Sequence, residues 1–271
     1  MSSHFKDYAV VVTGAGIGIG YKICQSFAEA EAHVALVDID GDVAKNSAQK
    51  LNDLVGAERV TPYGVDVANP DAMREMVSDF AAKYGRLDVM IANAGITNYG
   101  DFLTYSPQVF DRVVAVNLRG TFFTAQAAAN EMVSRKTENG CIVLMSSVTG
   151  VQGHKNLAAY GMTKAGIKHL ASVLAIELGQ YPITVNAICP GAILTERTLL
   201  DDPNFVANWE AVTPNGRVGT VEDIANTALF LSQPASRHIN GQAIIIDGGW
   251  TKQSTIPEAA PDLPEESTKL R

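Results

Sequence analysis

Residues 8–20 read YAVVVTGAGIGIG, a short apolar run followed by four glycines at alternate positions, Gly14, Gly16, Gly18 and Gly20. The apolar run suits a strand buried on both faces, and the residues after it suit the opening of a helix. Bare backbone at such a junction lets a phosphate approach closely, and the free N–H groups and dipole of the helix N-terminus favour its charge. The familiar dinucleotide spacing G-x-G-x-x-G is not met, however. Counted from Gly14 its last glycine would fall on Ile19, and counted from Gly16 on Tyr21. The loop is either a variant phosphate cradle or only a turn, and its surroundings must decide.

Working outward, short Val- and Ile-rich runs recur at 33–38, 59–67, 87–93, 141–147, 183–189 and 243–247. Most are continuous rather than alternating, as strands covered on both faces should be. Helical patterns lie between them at 18–30, 41–55, 70–84, 107–135, 157–179 and 221–232. Strand alternating with helix predicts parallel βαβ units with right-handed crossovers. The expected fold class is α/β, a doubly wound sheet of about seven parallel strands with helices on both faces. No linker or repeat interrupts the chain before Trp250, so residues 1–250 are expected to form one domain. The segment 251–271, with three prolines and few apolar anchors, reads as an extended tail.

Bulk properties narrow the function. Of 271 residues, 46% are hydrophobic and 18% charged, enough for a substantial core. A net charge of −8 argues against a nucleic-acid partner. The three cysteines, Cys24, Cys141 and Cys189, are far apart and read as buried thiols, and the five histidines form no metal-ligand pair. No run approaches the about 18 apolar residues of a membrane helix. The chain reads as cytoplasmic, acting on a small molecule without a metal.

Asp38 ends the second apolar run, twenty residues after Gly18. A carboxylate there can accept hydrogen bonds from both ribose hydroxyls of an adenosine and would repel a 2′-phosphate. Ile17 brings no compensating cation, which favours NAD over NADP. DIDGD also reads as a solvated turn, and S-adenosylmethionine methyltransferases likewise combine a glycine loop with an acid after the second strand, so the remaining residues must choose. Tyr160 and Lys164 stand at i, i+4 near the start of an Ala- and Gly-rich helix, on one face. A phenol normally ionises near pH ~10, and an adjacent ammonium lowers that value, making tyrosine a general base. Ser147 lies thirteen residues earlier at the same carboxyl edge as the glycine loop, where it can bind a substrate oxygen, with Ser146 as its rival. Asn117 falls inside a helical pattern, an unfavourable place for asparagine unless its amide is used.

Taken together, these stretches resemble the short-chain dehydrogenase/reductase family, in its single-domain subfamily. The matching residues are T13-G-A-G-I-G-I-G20, D66-V67, N93-A-G95, N117, S147, Y160-G-M-T-K164, P190-G-A-I-L-T195, R217-V-G with E222-D-I-A, and D247-G-G249. They run in order through nearly the whole chain, which sets the methyltransferase aside. The family's loop is T-G-x-x-x-G-x-G, met by Gly14, Gly18 and Gly20, with Gly16 as an extra glycine. The resemblance implies a Rossmann fold and NAD as cofactor, held by Gly14, Gly16, Ile17, Gly18, Ile19, Gly20, Asp38, Asp66, Val67, Asn93, Ala94, Gly95, Tyr160, Lys164, Pro190, Gly191, Ile193 and Thr195. It further implies that Tyr160 exchanges a proton with the substrate oxygen, that Ser147 orients that oxygen, and that Lys164 binds the nicotinamide ribose and lowers the Tyr160 pKa. Asn117 would hold a water linking Lys164 to solvent, and a homotetramer is implied through the helices at 107–135 and 157–179.

Substrate choice should lie in loops at the carboxyl edge. These offer Thr97, Asn98, Tyr99, Gln152, His154, Asn156, Glu196 and Trp209, with Asn98, Gln152, His154 and Asn156 as the substrate candidates. A wall with many polar groups and few large apolar ones suits a sugar, polyol or sugar acid, since each hydroxyl needs a buried partner. NAD-dependent sugar and polyol dehydrogenases, including glucose 1-dehydrogenase-like members, are the nearest likeness. A 3-oxoacyl-carrier-protein reductase shares these motifs and is the alternative enzyme. A binding-only protein that senses NAD is the alternative of another class.

Overall fold

The computed structural model describes residues 4–254. The expected tail therefore lies, from residue 255 on, outside the described residues. Seven parallel strands form one sheet: β1 (Ala9–Thr13), β2 (His33–Asp38), β3 (Val60–Gly64), β4 (Val89–Ala92), β5 (Gly140–Met145), β6 (Ile183–Pro190) and β7 (Ala243–Ile246). Their order is β3-β2-β1-β4-β5-β6-β7. Successive residues of β1 serve opposite cores. Val10 and Val12 pack toward α1 (Gly18–Glu29), α2 (Gly41–Val55) and α9 (Val221–Ser232). Ala9 and Val11 pack toward α3 (Pro70–Tyr84), α5 (Thr121–Ser134) and α6 (Ala158–Glu177). Burial on both faces is why these strands read as unbroken apolar runs.

Local chemistry starts and stops several helices. Asp40 accepts hydrogen bonds from the backbone N–H groups of Asp42 and Val43 at the start of α2, and Gly56 ends it in the left-handed region. Asn69 caps α3 in the same way, with Pro70 in its first turn and Gly85 after its last. The helix expected over 107–135 is interrupted. It consists of α4 (Pro107–Val113), a π-helical turn (Val114–Gly120) and then α5. The segment after Thr195 holds two short helices, α7 (Glu196–Asp201) and α8 (Phe205–Glu210). Among the described residues, no helix is long and apolar enough to cross a membrane.

Candidate active site

Crossovers leave in opposite directions from β1 and β4, so the sheet opens a crevice at their carboxyl ends. A cleft of about 560 Å³ lies there. The first crossing between β1 and β4 is stitched by Asn93. Its amide donates to the carbonyls of Thr13 and Gly14, both at 2.9 Å, while the Thr13 hydroxyl accepts from the N–H groups of Asn93 and Ala94. Gly14 and Gly18 both take φ of +60°, a region closed to most side chains. Ile17, Ile19, Gly20, Ala94 and Gly95 line the same end of the cleft.

Gly16 is not an idle extra glycine. Its N–H donates to Asp38 Oδ2 at 3.0 Å, while the Asp40 N–H donates to Oδ1 at 3.2 Å. A Cβ on residue 16 would lie 2.8 Å from Asp38 Oδ2 and 2.6 Å from Val43 Cγ1. The carboxylate is thus oriented by two backbone donors at the cleft wall, beside the exposed, uncharged Ile17 and Ile39. Next to it stand Val67 and Asp66, whose Oδ2 accepts from Arg112 of α4 at 3.1 Å.

The other end of the cleft gathers Ser147, Tyr160 and Lys164. Ser146 donates its hydroxyl to the Lys164 carbonyl at 2.7 Å and is buried, so it serves the fold. Ser147 caps the 3₁₀ turn Val148–Gly150, accepting from the Thr149 N–H, and lies within hydrogen-bonding reach of Tyr160. Thr97, from the loop after β4, also stands beside Tyr160. Lys164 is buried; its Nζ donates to the Met145 carbonyl at 2.8 Å and sits 5.5 Å from the centre of the Tyr160 ring. The expected lowering of the Tyr160 pKa is not what this state of the protein displays. Burial raises it, with Thr97 and Ser147 pulling the other way. Lys164 moves instead: burial lowers it to about 8.

Asn117 lies outside the cleft lining, in the π-helical turn, fully buried. Its Oδ1 accepts from the Ile96 N–H at 2.8 Å, and its amide donates to the Ile96 carbonyl and to Thr163 Oγ1. The amide is fully used, which accounts for asparagine within a helix, and it secures the start of the loop that carries Thr97. Pro190 ends β6 and Gly191 follows it, both in the cleft lining, and Ile193 pairs as a bridge with Gly219. Thr195 caps α7 through a capping box with Thr198.

The substrate candidates divide. His154 lines the cleft, while Asn98, Gln152 and Asn156 are exposed and stand outside its lining. Asn156 takes φ of +65° and accepts the Gly100 N–H through its carbonyl, which sets the loop path. The expectation of few large apolar groups also needs correction. Tyr99, Phe205 and Trp209 line this end, the last two from α8.

A family model described as enoyl-(acyl carrier protein) reductase matches residues 14–251. Among curated relatives, a 3-oxoacyl-[acyl-carrier-protein] reductase of Chlamydia muridarum is 37% identical over 92% of this chain and 99% of its own. An L-rhamnose 1-dehydrogenase (NAD(P)(+)) of Sphingomonas sp. is 36% identical over 89% of this chain and 94% of its own. A crystal structure of a short-chain type dehydrogenase/reductase from Mycobacterium marinum superposes with a TM-score of 0.85 at 32% identity, covering 92% of this chain and 98% of that one. The chain belongs to the short-chain dehydrogenase/reductase family. It is an oxidoreductase acting on CH–OH groups, and its Rossmann-like fold binds a nicotinamide cofactor. One cleft runs from Asp38 at one end to Tyr160 at the other. The residues present fit a dinucleotide: a left-handed glycine cradle at a helix N-terminus, and a carboxylate in the lining of the same cleft.

Proposed function

We propose that this enzyme is an NAD-dependent dehydrogenase of secondary alcohols, and in reverse a ketone reductase, acting on a sugar, polyol or sugar acid. The observation that carries the reading is the convergence of Ser147, Tyr160 and Lys164 at one end of a cleft whose other end is Asp38. Gly14, Gly18 and the α1 N-terminus would receive the pyrophosphate, and Asp38 the adenosine ribose. A phosphate on that ribose would meet the Asp38 carboxylate with no cation from Ile17 or Ile39 to offset it. A nicotinamide held there would supply or accept the hydride.

The protein's own groups manage the proton. Tyr160 Oη takes a proton from the substrate hydroxyl in oxidation and returns one to the carbonyl oxygen in reduction. Ser147 Oγ holds that same oxygen, so the reacting carbon is fixed relative to Tyr160. Lys164 Nζ stands 5.5 Å from the centre of the phenol ring and would hold the nicotinamide ribose beside it. Tyr99, Phe205 and Trp209 offer flat apolar faces that match the C–H face of a sugar ring, while Thr97 and His154 offer hydrogen bonds.

NADH formation from NAD across sugars, polyols, hydroxy acids and apolar alcohols tests this reading, with Tyr160→Phe as control. Turnover on polyhydroxylated compounds that disappears in Tyr160→Phe, while NADH still binds, is the expected result. Undiminished turnover in that variant would overturn the mechanism. A second reading, reduction of a 3-oxoacyl thioester, is favoured by the Chlamydia relative. It predicts NADPH-dependent turnover of acetoacetyl-CoA and none of the sugars.

A further inference from the structure

The wall that Phe205 and Trp209 give the substrate end has little to hold it from within. α8 is six residues long, its N-cap residue Asn204 makes no side-chain hydrogen bond, and none of its residues is buried. The preceding α7, also six residues long, buries none either. Helices this short are marginal alone and take their position from what they pack against.

The ring contacts of α8 lead to the segment after β7. Phe205 stands 6.1 Å from Trp209, and Trp209 meets Trp250 edge-to-face at 5.5 Å. On its other side the Trp250 ring packs on His154, with centroids 5.1 Å apart. His154, Phe205 and Trp209 line the cleft, whereas Trp250 lies outside its lining. Trp250 thus bridges the two flanks of the substrate end, α8 and the turn between β5 and α6. Its own place is fixed by the backbone. The Asp247 carboxylate accepts from the N–H groups of Gly249 at 2.9 Å and Thr251 at 2.7 Å, and the Asp247 carbonyl accepts from the Trp250 N–H at 3.1 Å. Two further bonds join this turn to the residues after α8. The Asn215 N–H donates to the Gly248 carbonyl at 3.3 Å, and the Gln253 amide donates to the Val212 carbonyl at 2.7 Å.

We propose that Trp250 is a positioning residue for the substrate end: from outside the cleft it sets how far apart His154 and the α8 wall stand, and so governs how tightly a substrate is held without touching it. This rests on the dehydrogenase reading. An indole offers flat faces and edges to two ring partners at once, which an aliphatic side chain does not. Neither partner belongs to the glycine loop or to the turn that carries Asp38, so the cofactor end should not feel the residue.

The test measures KM and kcat for D-sorbitol and cyclohexanol with NAD, together with the NADH dissociation constant, in the parent enzyme, Trp250→Leu, Trp250→Phe, Gln253→Ala and Tyr160→Phe. KM should rise about tenfold in Trp250→Leu, the scale of losing two aromatic contacts. In that variant kcat and NADH affinity should stay within about twofold of the parent. Trp250→Phe, which keeps an aromatic face, should retain most of the parent KM. Gln253→Ala removes only the bond to Val212, from an exposed side chain, and should raise KM roughly threefold even if Trp250→Leu does not fold. The chain has two tryptophans, so Trp209 is the sole one left in both Trp250 variants. Acrylamide should quench its fluorescence more steeply in Trp250→Leu than in Trp250→Phe. Unchanged KM in Trp250→Leu and Gln253→Ala, equal quenching of Trp209, or NADH affinity falling as far as KM rises would overturn the proposal. If those results come with Tyr160-dependent turnover, the dehydrogenase reading stands while the positioning role falls. No Tyr160-dependent turnover of either alcohol brings both down.

Discussion

Replacing Gly16 by alanine tests how the cofactor end is built. Residue 16 does not need positive φ, so alanine meets no backbone barrier there; only its Cβ is out of place. That carbon would stand 2.6 Å from Val43 Cγ1 and 2.8 Å from Asp38 Oδ2. Ordinary contact begins near 3.5 Å, so Val43 must retreat by about 0.9 Å and the carboxylate by about 0.7 Å. The 3.0 Å hydrogen bond from the Gly16 N–H then lengthens beyond useful range. Overpacking of this kind costs about 1–3 kcal/mol, and the lost bond to a charged group about 1.5–3 kcal/mol. Part of that cost falls on folding and part on the proposed ribose site. If only about 1.4 kcal/mol reaches the ribose site, NADH binding weakens about tenfold. NADP, which gains nothing from Asp38, should lose much less. The assay is NADH titration by fluorescence together with kcat/KM for NAD and NADP. Unchanged NADH affinity and an unchanged cofactor ratio in a folded Gly16→Ala enzyme would refute the reasoning.

Asp38→Ala should narrow the preference for NAD over NADP, measured as the ratio of their kcat/KM values; an unaltered ratio would remove Asp38 from the ribose site. Lys164→Met should abolish turnover and leave a distinct mark on stability. The buried Lys164 titrates at about 8, against 10.5 for a free lysine, so between those values the unfolded chain holds a proton that the folded chain has released. Stability carried by this group therefore rises with pH across that window. Thermal melts should show Lys164→Met gaining least, relative to the parent, near pH ~10 and most at or below pH ~8. A stability difference that does not vary with pH would show that Lys164 is not buried as a cation.

Much of the architecture was legible because both faces of the sheet are covered. Runs such as YAVVV and CIVLM could only be interior strands, and Asn69–Pro70 and Gly85 mark the ends of α3 by cap chemistry. The π-helical turn was not legible: VAVNLRG keeps an apolar rhythm through it, and the bonds that occupy Asn117 reach to Ile96, twenty-one residues away. Gly16 looked superfluous for a similar reason, since its necessity comes from Asp38, twenty-two residues on. Loop side chains carry no period, so nothing local separated His154, which enters the cleft, from Gln152 and Asn156, which do not. Phe205 escaped notice as a wall of the site because α8 reaches the cleft only through the folded path of the segment after Thr195.

The strand order has a consequence for how such an enzyme can diversify. Apart from Arg112, the groups around Asp38 descend from the first three strands and the turns that follow them. The groups around Tyr160 come from the turns after β4, β5 and β6 and from α6, α7 and α8. Between these two lineages of residues runs a single seam, the junction of β1 with β4, locked by Asn93 and Thr13. Insertions or replacements beyond β5 and β6 leave that seam and its register untouched. The far end of the cleft can therefore be rebuilt while the seam held by Asn93 and Thr13 keeps the glycine loop and Asp38 in place.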